Sequence, residues 1–251
     1  LLPAPLCLVL TVGVALAADS ADTDTPAASV AQAVSESSAP SSEPASSEAM
    51  SSEAMSSEAM SSEAGTAAAL EQFLARSDAL TADFRQLLLR EDGSVAEESS
   101  GRFYVSRPGR FRWEYVEPSE QLVLSDGERL WMYDADLEQV TVRDVDDGLA
   151  GTPAMLLSGE GRLADSFTFG ASYPEDGMDW IELQPAGERA EFKGLRVGLR
   201  DGVMGAMEVI DNLDQVTRIE FSDVRLGGEL DEALFRFEPP PGADVIGLEG
   251  L

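Results

Sequence analysis

The chain has no histidine, one cysteine and one lysine among its 251 residues. The lack of histidine removes the commonest general base, the usual partner of a catalytic serine and a frequent zinc ligand. The cysteine, Cys7, precedes most of an apolar segment, whereas a lipid-attachment cysteine would follow such a segment. We expect Cys7 to be removed with that segment, and the rest of the chain then has neither a disulfide nor a thiolate to bind a soft metal.

Basic residues are also scarce: the 17 Lys and Arg face 47 Asp and Glu, which gives a formal net charge of −30. None of the basic residues lies in residues 1–66. A surface this acidic repels phosphate backbones and anionic lipid headgroups, so we expect no nucleic-acid partner. The charge indicates either a solvated acidic surface or a patch that binds a basic partner.

The first 66 residues divide into two segments. The apolar run Leu6–Leu16, followed by Ala17 and Ala18, is typical of a secretory signal, so we interpret residues 1–17 as a signal peptide that lacks its basic start. Residues 18–66 are rich in Ser, Ala and Glu and repeat the motif SSEAM. Low hydrophobicity and uniform negative charge predict that this segment is a disordered acidic linker. The sequence therefore places one folded domain in residues 67–251, in a protein exported to the periplasm.

The folded part begins with a helical pattern and continues with short strands. Apolar residues near 3.6-residue spacing predict an amphipathic helix over Ala67–Ala79, and Gly151–Pro153 introduces a second short helix over Pro153–Leu157. Residues 110–115, RFRWEY, alternate strictly between polar and aromatic side chains, as a strand with one buried face does. Asp-Gly and Asp-Asn turns separate the strands, which indicates one antiparallel meander. The other predicted strands are Gly101–Ser106, Gln121–Leu124, Arg129–Tyr133, Glu138–Arg143, Ser166–Phe169, Asp179–Leu183, Gly194–Arg200, Ala206–Ile210, Val216–Phe221 and Leu234–Phe237.

Residue types that carry chemistry are few. Lys193 is the one candidate amine, but a lone lysine on a strand is typical of a solvated surface. Asp144, Asp146 and Asp147 offer oxygen ligands for calcium without the regular spacing of a calcium loop. The spacing of the many carboxylates does not exclude the pair of catalytic acids that a glycosidase needs. We predict no cofactor, and the aromatic sheet face either packs as an ordinary core or encloses a ligand.

Two stretches between Gly101 and Val142, SGRFYVSRPGRFRWEYVEP and SDGERLWMYDADLEQVTV, carry the densest similarity to a known family. On these motifs the domain resembles the outer-membrane lipoprotein carrier family, LolA. The segment GTPAMLL at 151–157 is similar to the family's lid helix, and the ending FRFEPP at 235–240 also fits. The acidic repeat is a departure from the family pattern.

The resemblance implies a mainly β fold: an incomplete, open antiparallel barrel with a helical lid over an apolar hollow. It implies a non-enzymatic, monomeric periplasmic chaperone that carries acylated lipoproteins. Its partners would be an inner-membrane lipoprotein-release ABC transporter and an outer-membrane lipoprotein receptor. Alternatives are a periplasmic lipid or glycolipid carrier, or an envelope sensor, of the same fold. A secreted carboxylate enzyme would instead require paired acids in a polar cleft.

The resemblance also assigns residues to the site. Arg107 matches the family arginine whose hydrogen bonds to the lid helices hold the empty protein closed. The remaining ligand-binding candidates are apolar and lie on the first helix, the first strands and the lid: Leu70, Leu74, Leu80, Phe84, Phe111, Trp113, Met155 and Leu156.

Overall fold

A computed structural model describes residues 65–145, 156, 163–186 and 192–247. In these ranges the chain forms helix α1 over 65–75, the short helix α2 (Leu163–Ser166), twelve strands and a 3-10 helix (Glu232–Phe235). The strands are β1 (Ala79–Leu89), β2 (Val95–Ser106), β3 (Arg110–Glu117), β4 (Gln121–Asp126), β5 (Arg129–Asp134), β6 (Gln139–Asp144), β7 (Phe167–Glu175), β8 (Met178–Pro185), β9 (Phe192–Arg200), β10 (Val203–Asp211), β11 (Val216–Leu226) and β12 (Asp244–Gly247).

All twelve strands belong to one sheet, in the order β12-β6-β5-β4-β3-β2-β1-β11-β10-β9-β8-β7. Neighbouring strands are antiparallel, except that β12 runs parallel to β6. The two end strands, β12 and β7, do not pair with each other, so the sheet stays open. One apolar cluster joins Leu130 on β5 to Phe167 on β7, which lie near opposite edges, so the sheet must curve around that cluster. The predicted fold class, mainly β with an open antiparallel sheet, is confirmed.

The strand pattern of the sequence agrees with the sheet at most positions. Strand β3 buries Phe111, Trp113 and Tyr115 and leaves its alternate residues partly exposed, as the alternation predicts. The predicted strand Leu234–Phe237 is wrong, because that segment lies in or beside the 3-10 helix Glu232–Phe235. The Asp231 carboxylate caps this helix by accepting a hydrogen bond from the N–H of Ala233, which favours a turn over a strand.

The predicted helix Ala67–Ala79 ends earlier than expected, at residue 75. The hydroxyl of Ser77 donates to the carbonyl oxygen of Phe73 at 2.6 Å, and the Arg107 side chain donates to that of Leu74. These donors satisfy carbonyls of the last helical turn without a further turn of helix. The chain can then extend from Ala79 as β1, which pairs with β2 on one side and β11 on the other.

The sheet buries apolar residues on both faces. The inner face, against which α1 packs, carries the large cluster that includes Phe84, Trp113 and Ile219. On the outer face of β4–β6, a second cluster that includes Trp131 is covered by the C-terminal segment through Phe237. Phe235 lies on the outer side as well, where the Arg110 guanidinium stands 5.5 Å from the centre of its ring, so the chain crosses to the outer face before it adds β12.

Two further findings concern the described residues alone. None of their helices is long and apolar enough to cross a membrane. No group of three or more potential metal-binding side chains occurs among them. Asp146 and Asp147 of the candidate calcium loop lie outside the described residues. The predicted second helix lies outside them as well, except for Leu156.

Candidate functional site

Helix α1 fills the inner face of the sheet with apolar side chains. Leu70 and Phe73 are completely buried there, and Leu74 packs against the edge of the same cluster. These residues follow helical spacing, so they share the face of α1 that meets the sheet. We call the space between α1 and the inner face of the sheet the hollow. In this closed arrangement, side chains of the helix occupy the hollow.

The floor of the hollow is aromatic. The Trp113 ring lies 5.2 Å from the Phe84 ring and 4.7 Å from the Phe103 ring, measured between centroids. Phe221 on β11 lies 6.2 Å from Phe103 by the same measure. Aromatic rings at such distances form favourable edge and tilted contacts. Four adjacent strands of the sheet, β3, β2, β1 and β11, thus contribute one continuous apolar surface.

A small open pocket remains beside α1. Its free volume is about 10 Å³, which is room for about one water molecule. A long acyl chain therefore needs α1 to move before it can enter fully. Every residue that lines the pocket is apolar: Phe73, Leu80, Ala82, Phe103, Met204, Phe221 and Val224.

Arg107 connects the sheet to the end of α1. Its Nη1 donates a hydrogen bond of 2.6 Å to the carbonyl oxygen of Leu74, and its backbone N–H donates to the carbonyl oxygen of Asp78 at 2.8 Å. Burial lowers the pKa of the Arg107 guanidinium, while the nearby Asp78 carboxylate opposes this shift. A guanidinium remains charged in proteins, so the bond to Leu74 is charge-assisted. The hydrogen bond from Arg107 to Leu74 therefore fixes the end of α1 relative to the β2–β3 turn.

The structure brings most of the predicted site residues together. Leu70, Leu80, Phe84, Phe111, Trp113 and Leu156 are buried members of the inner cluster, and Leu74 packs against it. Arg107 lies at the edge of that cluster, where it contacts α1. Met155 lies outside the described residues. Whether any of these residues contacts a ligand stays a prediction.

The prediction omitted several residues that line the pocket. Phe73 and Phe221 had the right periodicity and face, but neither was assigned to the site. Phe103 alternates with Val105 on β2, and this pattern could have placed its ring on the inner face. Met204 and Val224 carry no such signal, because they approach the pocket only when β10 and β11 pair beside β1.

Comparison with known proteins identifies a family and several similar chains. The sequence model of the family described as "Outer membrane lipoprotein carrier protein LolA" matches residues 75–238. An outer-membrane lipoprotein carrier protein of Methylococcus capsulatus is 45% identical over 177 residues, which are 70% of this chain and 85% of that protein. The corresponding protein of Dechloromonas aromatica is 39% identical over 183 residues, 73% of this chain and 88% of that protein. A crystal structure of a LolA superfamily protein from Nitrosomonas europaea aligns with 68% of this chain and 96% of that chain, at 12% identity and a TM-score of 0.41.

Proposed function

We propose, from the premise that this chain belongs to the outer-membrane lipoprotein carrier family LolA, that it carries acylated lipoproteins across the periplasm. It would accept them from a lipoprotein-release ABC transporter in the inner membrane and deliver them, as a monomer, to a receptor at the outer membrane. The observation that carries the proposal is the hollow: a helix-covered aromatic surface with an entirely apolar pocket at its edge.

An apolar hollow suits this task because acyl chains are insoluble. Each CH₂ group transferred from water to an apolar surface contributes about 0.8 kcal/mol, so several acyl chains would bind almost irreversibly to a permanently open cavity. In the closed form, Leu70 and Phe73 take the place of the ligand on that surface. Return of α1 to the sheet therefore competes with the bound lipid, and this competition makes release possible without a nucleotide.

Arg107 would set the balance between the two states. Its hydrogen bond to the Leu74 carbonyl exists only while the end of α1 lies against the β2–β3 turn. A hydrogen bond to a charged group contributes about 1.5–3 kcal/mol. We infer that this bond stabilises the closed form, opposes loading and favours release. The protein acts as a chaperone in this scheme, since no step requires a bond to be made or broken in the cargo.

The signal-like segment 1–17 supports export to the periplasm, and we propose that it is removed there. The acidic residues 18–66 would then form a spacer ahead of the domain.

The cargo can be identified directly. The protein is purified from the periplasm of its host without detergent, and the bound lipid is analysed by mass spectrometry. Peptides that carry an acylated N-terminus would support the proposal. Glycolipid or free phospholipid as the dominant ligand would contradict it and favour a different lipid carrier of the same fold.

A further inference from the structure

The inner face of the sheet is not uniformly apolar. Gln86 on β1, Tyr115 on β3 and Thr217 on β11 are all more than nine-tenths buried. The Tyr115 hydroxyl donates a hydrogen bond of 3.0 Å to Oε1 of Gln86, which joins two of them across the sheet. A core that needed only packing would place apolar side chains at these positions, because buried polar groups lower stability unless they are paired.

The hydroxyl of Thr217 is buried on this face and has no protein hydrogen-bond partner among the described residues. Thr217 is 2% exposed. An unpaired buried donor costs on the order of 1–3 kcal/mol, so a functional reason for keeping it is expected. A hydroxyl can donate a hydrogen bond, so it suits an acceptor such as a carbonyl oxygen.

The sheet register orders these groups along the hollow. Phe221, which lines the pocket, lies opposite Phe84, whereas Thr217 lies opposite Leu88 at the other end of the same strand pair. Gln86 is opposite Ile219, between the two ends. Thr217 and the pocket residue Val224 are seven positions apart on β11, which corresponds to a distance of about 23 Å along the strand. That span is comparable to an extended long acyl chain.

We propose that the hollow binds acyl groups in one orientation, with the tails in the apolar pocket and an ester or amide carbonyl held by the Thr217 hydroxyl. The inference rests on the proposed lipid-carrier function and adds to it the direction in which the acyl chain lies and the group that recognises its carbonyl. Hydrocarbon chains alone supply no acceptor for this hydroxyl, whereas every acyl group carries a carbonyl at one end. The tail end then lies beside Phe73 and Arg107, where α1 closes.

The test uses two lipids whose chains are long enough to span this distance and that differ only in the carbonyl: 1-palmitoylglycerol, which has an ester link, and 1-hexadecylglycerol, which has an ether link. Affinity for the unmodified protein is measured by titration calorimetry. We expect the ester lipid to bind roughly three- to tenfold more tightly, the effect of one net hydrogen bond. The variant T217V should lose most of this preference while it binds the ether lipid as before, and T217S, which keeps the hydroxyl, should retain it.

The control is T81V, the same substitution on strand β1 at a half-buried position whose side chain alternates away from the inner face. It should leave both affinities unchanged. If T217V keeps the full ester preference, or if the unmodified protein shows none while both lipids bind, the orientation is refuted and the carrier function stands. If neither lipid binds, the lipid-carrier function itself is contradicted, and the orientation with it.

Discussion

Replacement of Arg107 with leucine should lower the stability of the closed protein and raise its apparent affinity for lipid. The substitution removes the 2.6 Å bond from the guanidinium to the Leu74 carbonyl. A hydrogen bond to a charged group contributes about 1.5–3 kcal/mol, so the closed form should lose about that much relative to the open form. If lipid binds only the open form, apparent affinity should rise roughly tenfold to a hundredfold. The melting temperature of the empty protein should fall by about 3–10 °C, because the same bond is lost on unfolding.

The assay titrates a fluorescent fatty-acyl probe into R107L, R107K and the unmodified protein, and it records thermal unfolding of each. The probe affinity and the melting temperature of R107K should lie between those of R107L and the unmodified protein, because an ammonium can reach one carbonyl but lacks the planar donor array. R102L is the matched control, since Arg102 is exposed on β2, the strand that leads into the turn with Arg107. Should R107L bind the probe with unchanged affinity while its melting temperature falls, Arg107 supports the fold alone and does not set the balance between closed and open forms.

Three other changes test separate parts of the account. The substitution F73A should lower the free energy of unfolding in urea by about 3–5 kcal/mol, because Phe73 is completely buried; a loss below about 1 kcal/mol would show that α1 is not held by this ring. Burial alone would raise the pKa of Asp126, but hydrogen bonds from the Trp131 indole and the N–H groups of Arg129 and Glu128 lower it overall. Its contribution to stability is therefore present above the unfolded pKa of about 3.9 and lost as pH falls through the lower folded pKa. The gap in melting temperature between the unmodified protein and D126N should narrow below about pH 4, and a constant gap would contradict this linkage. Deletion of residues 19–64 should leave the melting temperature of the domain unchanged, and a shift of many degrees would show that the acidic repeat packs on it.

The parts of the fold that the sequence predicts best are strands with one buried face. Strand β3 alternates strictly and was placed correctly, since its pattern records burial on one side only. Strand β1 also alternates over its first half, where Leu80, Ala82 and Phe84 are buried, but the run Leu87–Leu89 interrupts the pattern, and the burial of that run depends on strands far away in the sequence. Strand β12 is short and all four of its residues are exposed, so no hydrophobic period marks it.

The site was less predictable from the sequence than the strands were. The family resemblance supplied Arg107, but its partner, the Leu74 carbonyl, is a backbone atom 33 residues away and leaves no trace in the sequence. The unpaired hydroxyl of Thr217 is equally invisible, because a hydroxyl in a strand is usually satisfied. Only the assembled sheet shows that this hydroxyl lies on the inner face without a protein partner among the described residues.

A lipoprotein carrier must remove acylated lipoproteins from one membrane and deliver them to another, and this transfer can be measured directly. Inner-membrane vesicles that contain the release transporter and a labelled lipoprotein are incubated with ATP and the purified protein, and the soluble fraction is then added to outer membranes that bear the receptor. We expect the label to become soluble only when both ATP and this protein are present, in a complex with it, and then to move to the outer membranes. Label that stays with the inner-membrane vesicles at every protein concentration would refute the proposed transport of lipoproteins.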